Sequence, residues 1–288
     1  MLKYGTETLV KDYDKDNIVK TPLARIASKR KSWLVGQQVA ADTGRQLSQM
    51  SDGAYIIPQT KLIDNENFRV IEERVNGVPL TPILFKSLDD TARASIVNSL
   101  ARFYADIHKT HPVDNKIAYK MHYEFAPDGL SDFVKKDMRK WFPMADVRLV
   151  ERVCRYLPSV EYETRLVWAH NDLFSENVLY DAHTNKCAII DFTKAGYNFL
   201  HHDIIDSYAN DLGVFNDFRA QYLKYCNMDN LPDTFTDSEK WNTILNYHRS
   251  ADAVLDMIDN ISGLSVDTNY AIAQMRADVA SLHRTWSR

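Results

Sequence analysis

The sequence predicts an α+β chain, and three features predict it. Short strand patterns crowd the first 75 residues, apolar repeats at helical spacing dominate from residue 87 onward, and one strand–loop–strand stretch from Leu166 to Asp191 interrupts the helical region. At 288 residues the chain can bury a large core, as one two-lobed domain or as two small ones, and 45% apolar with 26% charged residues is ordinary globular composition.

Charge and cysteine usage narrow the class. A net charge of −4, with the acidic excess in residues 201–288, argues against a nucleic-acid footprint. No apolar run approaches a bilayer span, so no membrane partner is expected. The opening MLKYGTETLVKDYDKD is too polar for a signal peptide, and cytoplasmic placement is the expectation. Cys154, Cys187 and Cys226 are odd in number and widely spaced, which suggests neither a disulfide framework nor a zinc site; Cys187 reads as a small core residue.

In chain order, Thr8–Tyr13 and Ile18–Lys20 read as strands around the turn Lys15–Asn17. A basic run including Lys29, Arg30 and Lys31 reads as a solvated face, and a helix is expected from Ser32 to about Gln49 despite Gly36 and Gly44. Tyr55–Pro58 and Phe68–Ile71 read as strands flanking the turn Asp64–Asn67, and Asn76-Gly77 turns the chain out of this region. Ser87 is the expected N-cap of a helix running to His108, with Ile96, Leu100, Phe103, Tyr104 and Ile107 on its apolar face. Leu130–Trp141 and Ala145–Tyr156 read as helical pieces, with Trp141 and Phe142 packing. His201–Tyr225 reads as helical in two parts, and Lys240–Asn260 and Asn269–Trp286 as two further helices.

The stretch from Leu166 carries the chemistry. An apolar run enters a polar loop, His170 to Asn177; a short strand, Val178–Tyr180, follows; a second strand, Cys187–Ile190, ends in Asp191-Phe192. Two strands that each deliver a carboxylate or an amide at one end assemble Asp172, Asn177 and Asp191 into a cluster suited to hold Mg²⁺ and to orient a hydroxyl nucleophile against ATP. The alternative is a polar hairpin turn followed by a chance Asp-Phe. Three elements in order, with five residues from Asp172 to Asn177, weigh against it.

HNDLFSENVLY followed by IIDFTKAGYNFLHHDI resembles the phosphotransferase branch of the protein-kinase-like superfamily, and IEERVNGVPL resembles the hinge of the same proteins. The chain is similar to aminoglycoside phosphotransferases and still more to choline/ethanolamine kinases, through Ala195-Gly196-Tyr197-Asn198-Phe199 and Asp203-Ile204. That resemblance implies a protein-kinase-like bilobed fold, with a small β-rich nucleotide-binding lobe over residues 1–75 and a larger, mainly helical catalytic and acceptor-binding lobe over 76–288. It implies ATP and Mg²⁺ as cofactors. Asp172 would accept the acceptor's proton, Asn177 and Asp191 would ligate Mg²⁺, and Lys20 would hold the α/β-phosphates. The Glu73 C=O and Val75 N–H would meet the adenine edge, with His170 and Asp203 as structural supports of the loop. By the same likeness Gly5-Thr6 lies where a phosphate-covering loop belongs.

One departure stands out. The wider kinase fold pairs the strand lysine with a helix glutamate, yet this chain has no Glu between Glu7 and Glu66; Gln37 or Gln38 are the available hydrogen-bonding partners. The resemblance makes the acceptor a small-molecule hydroxyl, first an amino alcohol such as choline or ethanolamine, next an aminoglycoside or sugar-like hydroxyl. A nucleotide-binding module without catalysis is the third reading. Tyr208, Trp241, Tyr247, Asp252 and Asp256 are the candidates for a cation-binding wall, although each aromatic taken singly reads as core.

Overall fold

The computed structural model describes residues 3–4, 8–24, 26–110, 138–140, 142–161, 166–205 and 207–226, with isolated positions between 241 and 283. The expected Gly5-Thr6 loop, most of the Leu130–Trp141 helix, nearly all of the last two helices, and Tyr247, Asp252 and Asp256 lie outside the described residues. Contacts divide the chain into two units, Met1–His122 with Leu166–Asn230 and Tyr123–Arg165 with Leu231–Arg288.

The first unit opens with a five-stranded antiparallel sheet in the order β1-β2-β3-β5-β4. Its strands are β1 Lys3–Tyr4, β2 Thr8–Asp12, β3 Asn17–Pro22, β4 Thr60–Asp64 and β5 Arg69–Glu73. The β2–β3 turn is set by Asp14, whose carboxylate accepts from the N–H of Asp16 and Asn17 at 2.8 Å each. Asp64 repeats the device between β4 and β5, accepting from the N–H groups of Glu66 at 3.2 Å and Asn67 at 3.0 Å.

Tyr55–Pro58 is not a strand of this sheet. Ile56 instead bridges in parallel to Ala188, its N–H donating to Cys187 O and its C=O accepting from Ile189 N–H, both at 2.9 Å. Pro58 has no N–H to extend that ladder, and the sheet's strand begins two residues later at Thr60.

Helix α1, Ala27–Met50, starts five residues before its expected beginning. Helix α2, Pro82–Ser87, starts at the Thr81 hydroxyl, which accepts from Leu84 N–H, with proline in its first turn. Ser87 therefore ends a helix instead of capping one. The N-cap of α3, Asp90–Ile107, is Asp89, whose carboxylate takes Ala92 N–H at 2.7 Å. Ile96, Leu100, Phe103, Tyr104 and Ile107 are buried along α3, as their spacing predicts. Asp106, also buried, gathers the Tyr55 hydroxyl at 3.1 Å and Arg102 Nε at 2.8 Å, which ties the bridging segment to α3.

The chain adds two small sheets beyond the five-stranded one. β6 (Val78–Pro79), β8 (Val178–Asp181) and β9 (Lys186–Ile189) form one, and β7 (Leu166–Ala169) with β10 (Gly196–Phe199) the other, all antiparallel. Cys187 is fully buried in β9, and burial pushes its thiol up. Gly77, at φ +146°, lets the chain pass against β8; a Cβ there would meet Tyr180 O at 2.9 Å. Three helices follow where two were expected: α5 Leu200–Ile205, α6 Tyr208–Asp211 and α7 Phe215–Tyr225.

In the second unit, α4 spans Met144–Glu161 and buries Val147, Leu149 and Val150; Asp146 meets His283 Nε2 at 2.7 Å. Among the described residues no helix is long and apolar enough to cross a membrane.

Candidate active site

The sheet register brings the polar residues together. β8 and β9 pair Val178 with Ile189, and one step further out Ile190 N–H donates to Asn177 O at 3.0 Å. Asn177 and Asp191 therefore leave adjacent strands at the same end. Asp172 is joined to them through Asn177, whose Nδ2 donates to Asp172 O at 2.8 Å and lies 3.5 Å from Asp172 Oδ2. With Nδ2 committed to that carbonyl, Oδ1 is the amide atom that could ligate a metal. Asp191 has φ +62° and Asn171 φ +60°, so the loops on both sides of the site pass through the left-handed region, which asparagine and aspartate tolerate better than most residues.

Lys20 reaches the same place from β3. Its Nζ is 3.0 Å from Glu72 Oε1 and 3.1 Å from Glu72 Oε2, with the lysine 8% and the glutamate 8% exposed. Burial works against the Lys20 charge, but the Glu72 and Asp191 carboxylates outweigh it and raise the pKa above the ordinary lysine value. Burial likewise works against an ionised Asp191; Lys20 and the Thr193 hydroxyl, 2.7 Å from Oδ1, hold its carboxyl below the usual range. The result is a buried cation whose charge is favoured by two carboxylates, Glu72 on β5 and Asp191 after β9. Two hard oxygen donors, Asn177 Oδ1 and the Asp191 carboxylate, fit Mg²⁺, which retains waters and phosphate oxygens in its remaining positions.

Supporting residues fix these loops. His170 is 1% exposed, and its Nε2 lies 3.0 Å from Ile190 O, the residue before Asp191. Burial lowers its pKa and favours the neutral ring, whose Nε2 links the His170–Asn177 loop to the residue before Asp191. Asp203 Oδ2 meets His108 Nε2 at 2.7 Å, and His108 Nδ1 meets the Tyr222 hydroxyl at 2.9 Å. This contact ties α5 to the end of α3 and to α7. Lys194 Nζ sits 2.8 Å from Asp172 Oδ1.

The residues expected at a hinge lie at and after the end of β5. Glu73 ends β5, its carboxylate engaged by Lys61 and by Gln59 N–H, and Val75 follows two residues on. Between them Arg74 N–H turns to Asp16 O at 2.8 Å, and its guanidinium takes Asp12 Oδ1 at 2.8 Å.

Three partners escaped sequence reasoning. Glu72, on β5, takes the place expected of Gln37 or Gln38. Gln37 is buried on α1 with its Nε2 unpartnered among the described residues, and Gln38 is exposed. The signal was available in strand alternation, because Lys20 pairs opposite Val70 and Glu72 therefore shares its face. Lys194 stands three residues beyond Asp191, visible but unremarkable. His108, the expected end of the helix, is the C-cap of α3 and is buried. Of the acceptor-wall candidates, Tyr208 and Trp241 are buried, and the Tyr208 hydroxyl donates to Leu80 O, which is core packing.

A family model described as "Phosphotransferase enzyme family" matches residues 54–234. The probable ethanolamine kinase A of Dictyostelium discoideum is 30% identical over 230 residues, covering 73% of this chain and 62% of that protein. The chain spans between 36% and 62% of the length of the curated relatives it matches. The GDP and kanamycin complex of APH(2")-IIia superposes with a TM-score of 0.66 at 15% identity, covering 99% of this chain and 92% of the other. A choline/ethanolamine kinase family protein from Mesorhizobium loti gives 0.64 at 14% identity, covering 100% and 88%. Further structures of the same kind hold ADP or ATP. These likenesses show the α+β, protein-kinase-like fold, with its β-sheet N-terminal part and helical C-terminal part.

Proposed function

The chain belongs to the phosphotransferase enzyme family, and on that premise we propose that it transfers the γ-phosphoryl group of ATP to the hydroxyl of a small amino alcohol such as ethanolamine or choline. The observation that carries the reading is that Asn177 and Asp191 leave paired strands at one end, with Asn177 Nδ2 on Asp172 O and the buried Lys20 charge favoured by Asp191. Residues 1–75 serve as the nucleotide-binding lobe, with the Glu73 C=O and Val75 N–H toward the base, and residues 76–288 carry the catalytic and acceptor groups.

Asp172 holds the acceptor hydroxyl in line with the γ-phosphorus. The hydroxyl oxygen bonds to phosphorus as its proton passes to the Asp172 carboxylate. The bond from phosphorus to the β,γ-bridging oxygen breaks, and ADP leaves with the electron pair. Lys20 neutralises the inner phosphates, and Glu72 keeps its charge in place. Asn177 and Asp191 would hold Mg²⁺, which when bound supplies charge neutralisation to the phosphate oxygens. His170 and Asp203 shape the loop and touch no substrate. Positioning and charge neutralisation make up most of the catalysis.

The amino-alcohol acceptor is supported by the named ethanolamine kinase relatives. An aminoglycoside acceptor is the second reading, favoured by the kanamycin-bound neighbour, whose likeness at 15% identity bears on the fold alone. The test is Mg²⁺-dependent ATP consumption with ethanolamine, choline, kanamycin, simple sugars or no acceptor, repeated with GTP and with the Asp172→Ala variant. The reading expects stimulation by an amino alcohol that disappears in the variant. Stimulation by kanamycin alone would transfer the assignment to the second reading, and no stimulation by any acceptor would refute the first.

A further inference from the structure

Both carboxylate oxygens of Asp172 face a donor, Oδ1 at 2.8 Å from Lys194 Nζ and Oδ2 at 3.5 Å from Asn177 Nδ2. An acceptor hydroxyl that gives its proton to Asp172 has to replace one of them. Asn177 is buried and its amide is tied to Asp172 O at 2.8 Å, so it stays. The Lys194 side chain is 53% exposed on a flexible stem, and it is the group able to move.

The backbones around this contact are held together. Asn171, next to Asp172, donates through Nδ2 to Lys194 O and Gly196 O at 3.3 Å each, and Asn198 Nδ2 donates to Asn171 Oδ1 at 3.0 Å. The start of the lysine side chain is thereby fixed beside the base, and only its outer torsions are free. Lys20 is buried against Glu72 and engaged on the inner side of the site, so it does not follow the outermost phosphoryl group. A hydroxyl bridging Asp172 and the γ-phosphorus puts that phosphorus about 5–6 Å from the carboxylate, summing a hydrogen bond and a near-attack distance. That lies within the sweep of an ammonium already seated on the carboxylate.

We propose that Lys194 is a catalytic residue: displaced from Asp172 by the acceptor, its ammonium contacts the γ-phosphoryl oxygens and neutralises charge on the group in flight. This rests on the phosphotransferase reading of the same site. The transfer itself is as written above, with the proton going to Asp172 and the bridging oxygen leaving with its electron pair; Lys194 donates hydrogen bonds and exchanges no proton.

The experiment is calorimetric titration of the native protein, Lys194→Ala and Lys194→Arg with ADP and with the β,γ-imido analogue of ATP, both in excess Mg²⁺ and saturating ethanolamine, which occupies Asp172. Because Lys194 is a surface side chain, thermal unfolding should be unchanged in both variants, and it is checked first. The proposal expects Lys194→Ala to lose about tenfold in affinity for the triphosphate analogue, as for a charge-assisted hydrogen bond, with ADP affinity unchanged and Lys194→Arg close to native. Equal loss for both nucleotides, or no loss for either, overturns the proposal and leaves the phosphotransferase reading standing. A gain in triphosphate affinity also overturns it, making Lys194 a latch over the base. Failure of the native protein to bind either nucleotide overturns the proposal together with the reading of the site.

Discussion

Glu72→Gln isolates the buried charge pair. Lys20 and Glu72 have side chains 10% and 11% exposed, and both carboxylate oxygens lie within 3.1 Å of Nζ. Removing one partner of a buried pair costs about 3–5 kcal/mol, because the remaining charge stays desolvated. Two features reduce that cost here. Glutamine keeps one oxygen able to accept from the ammonium, a bond to a charged group worth about 1.5–3 kcal/mol. Asp191 also remains as a second anion beside Lys20. The expected loss is about 2 kcal/mol, read as a fall of about 1 M in the urea midpoint at unchanged slope. The companion variant Lys20→Met/Glu72→Leu removes both charges and should recover part of the loss, since apolar residues of similar volume often replace buried ion pairs at little cost. A Glu72→Gln midpoint within error of native would refute the reasoning. It would mean that Lys20 is held by Asp191 alone and that β5 plays no part in placing it.

Other expectations follow from the same geometry. Gly77→Ala should lower stability by about 1–3 kcal/mol, because a Cβ at φ +146° would stand 2.9 Å from Tyr180 O, and chemical denaturation measures it. Burial pushes His201 down to about 4, so the folded protein keeps it neutral while the unfolded chain takes a proton near 6.5. The stability from this group is fully present above pH 6.5 and is lost as pH falls from about 6.5 toward 4, about 3 kcal/mol in all; comparing native protein with His201→Gln at pH 7.5 and pH 4.5 should show a gap that narrows at the lower pH. Asp191→Asn should raise the Mg²⁺ concentration needed for half-maximal turnover at least tenfold while far-ultraviolet circular dichroism stays native, since a neutral amide replaces the charged ligand.

Much of the site was legible in local patterns, and the parts that were not depend on distant chain. Asp172, Asn177 and Asp191 follow from two short strands and a loop, whose register is a local matter of β8 and β9. Lys20 was visible at a strand, but its partner was sought on a helix, whereas the antiparallel pairing of β3 with β5 supplies Glu72 across 52 positions of sequence. His108 looked like a helix end, and it is one; what buries it are Asp203 and Tyr222, 95 and 114 positions away. Tyr55–Pro58 has the apolar content of a strand, yet its one bridge is to Ala188, which no nearby residue announces. Ser87 has the residue type of an N-cap, and so does Asp89 two residues on. The choice falls to Asp89 because Thr81-Pro82 starts a separate short helix that ends at Ser87.

The central claim is transfer of a phosphoryl group to a hydroxyl, and phosphorus NMR of the product mixture tests it most directly. Native protein incubated with ATP, Mg²⁺ and ethanolamine should form ADP and a phosphomonoester in equal amounts, and Asp172→Asn should form neither. ADP with only inorganic phosphate, or a phosphomonoester undiminished in Asp172→Asn, would contradict the account.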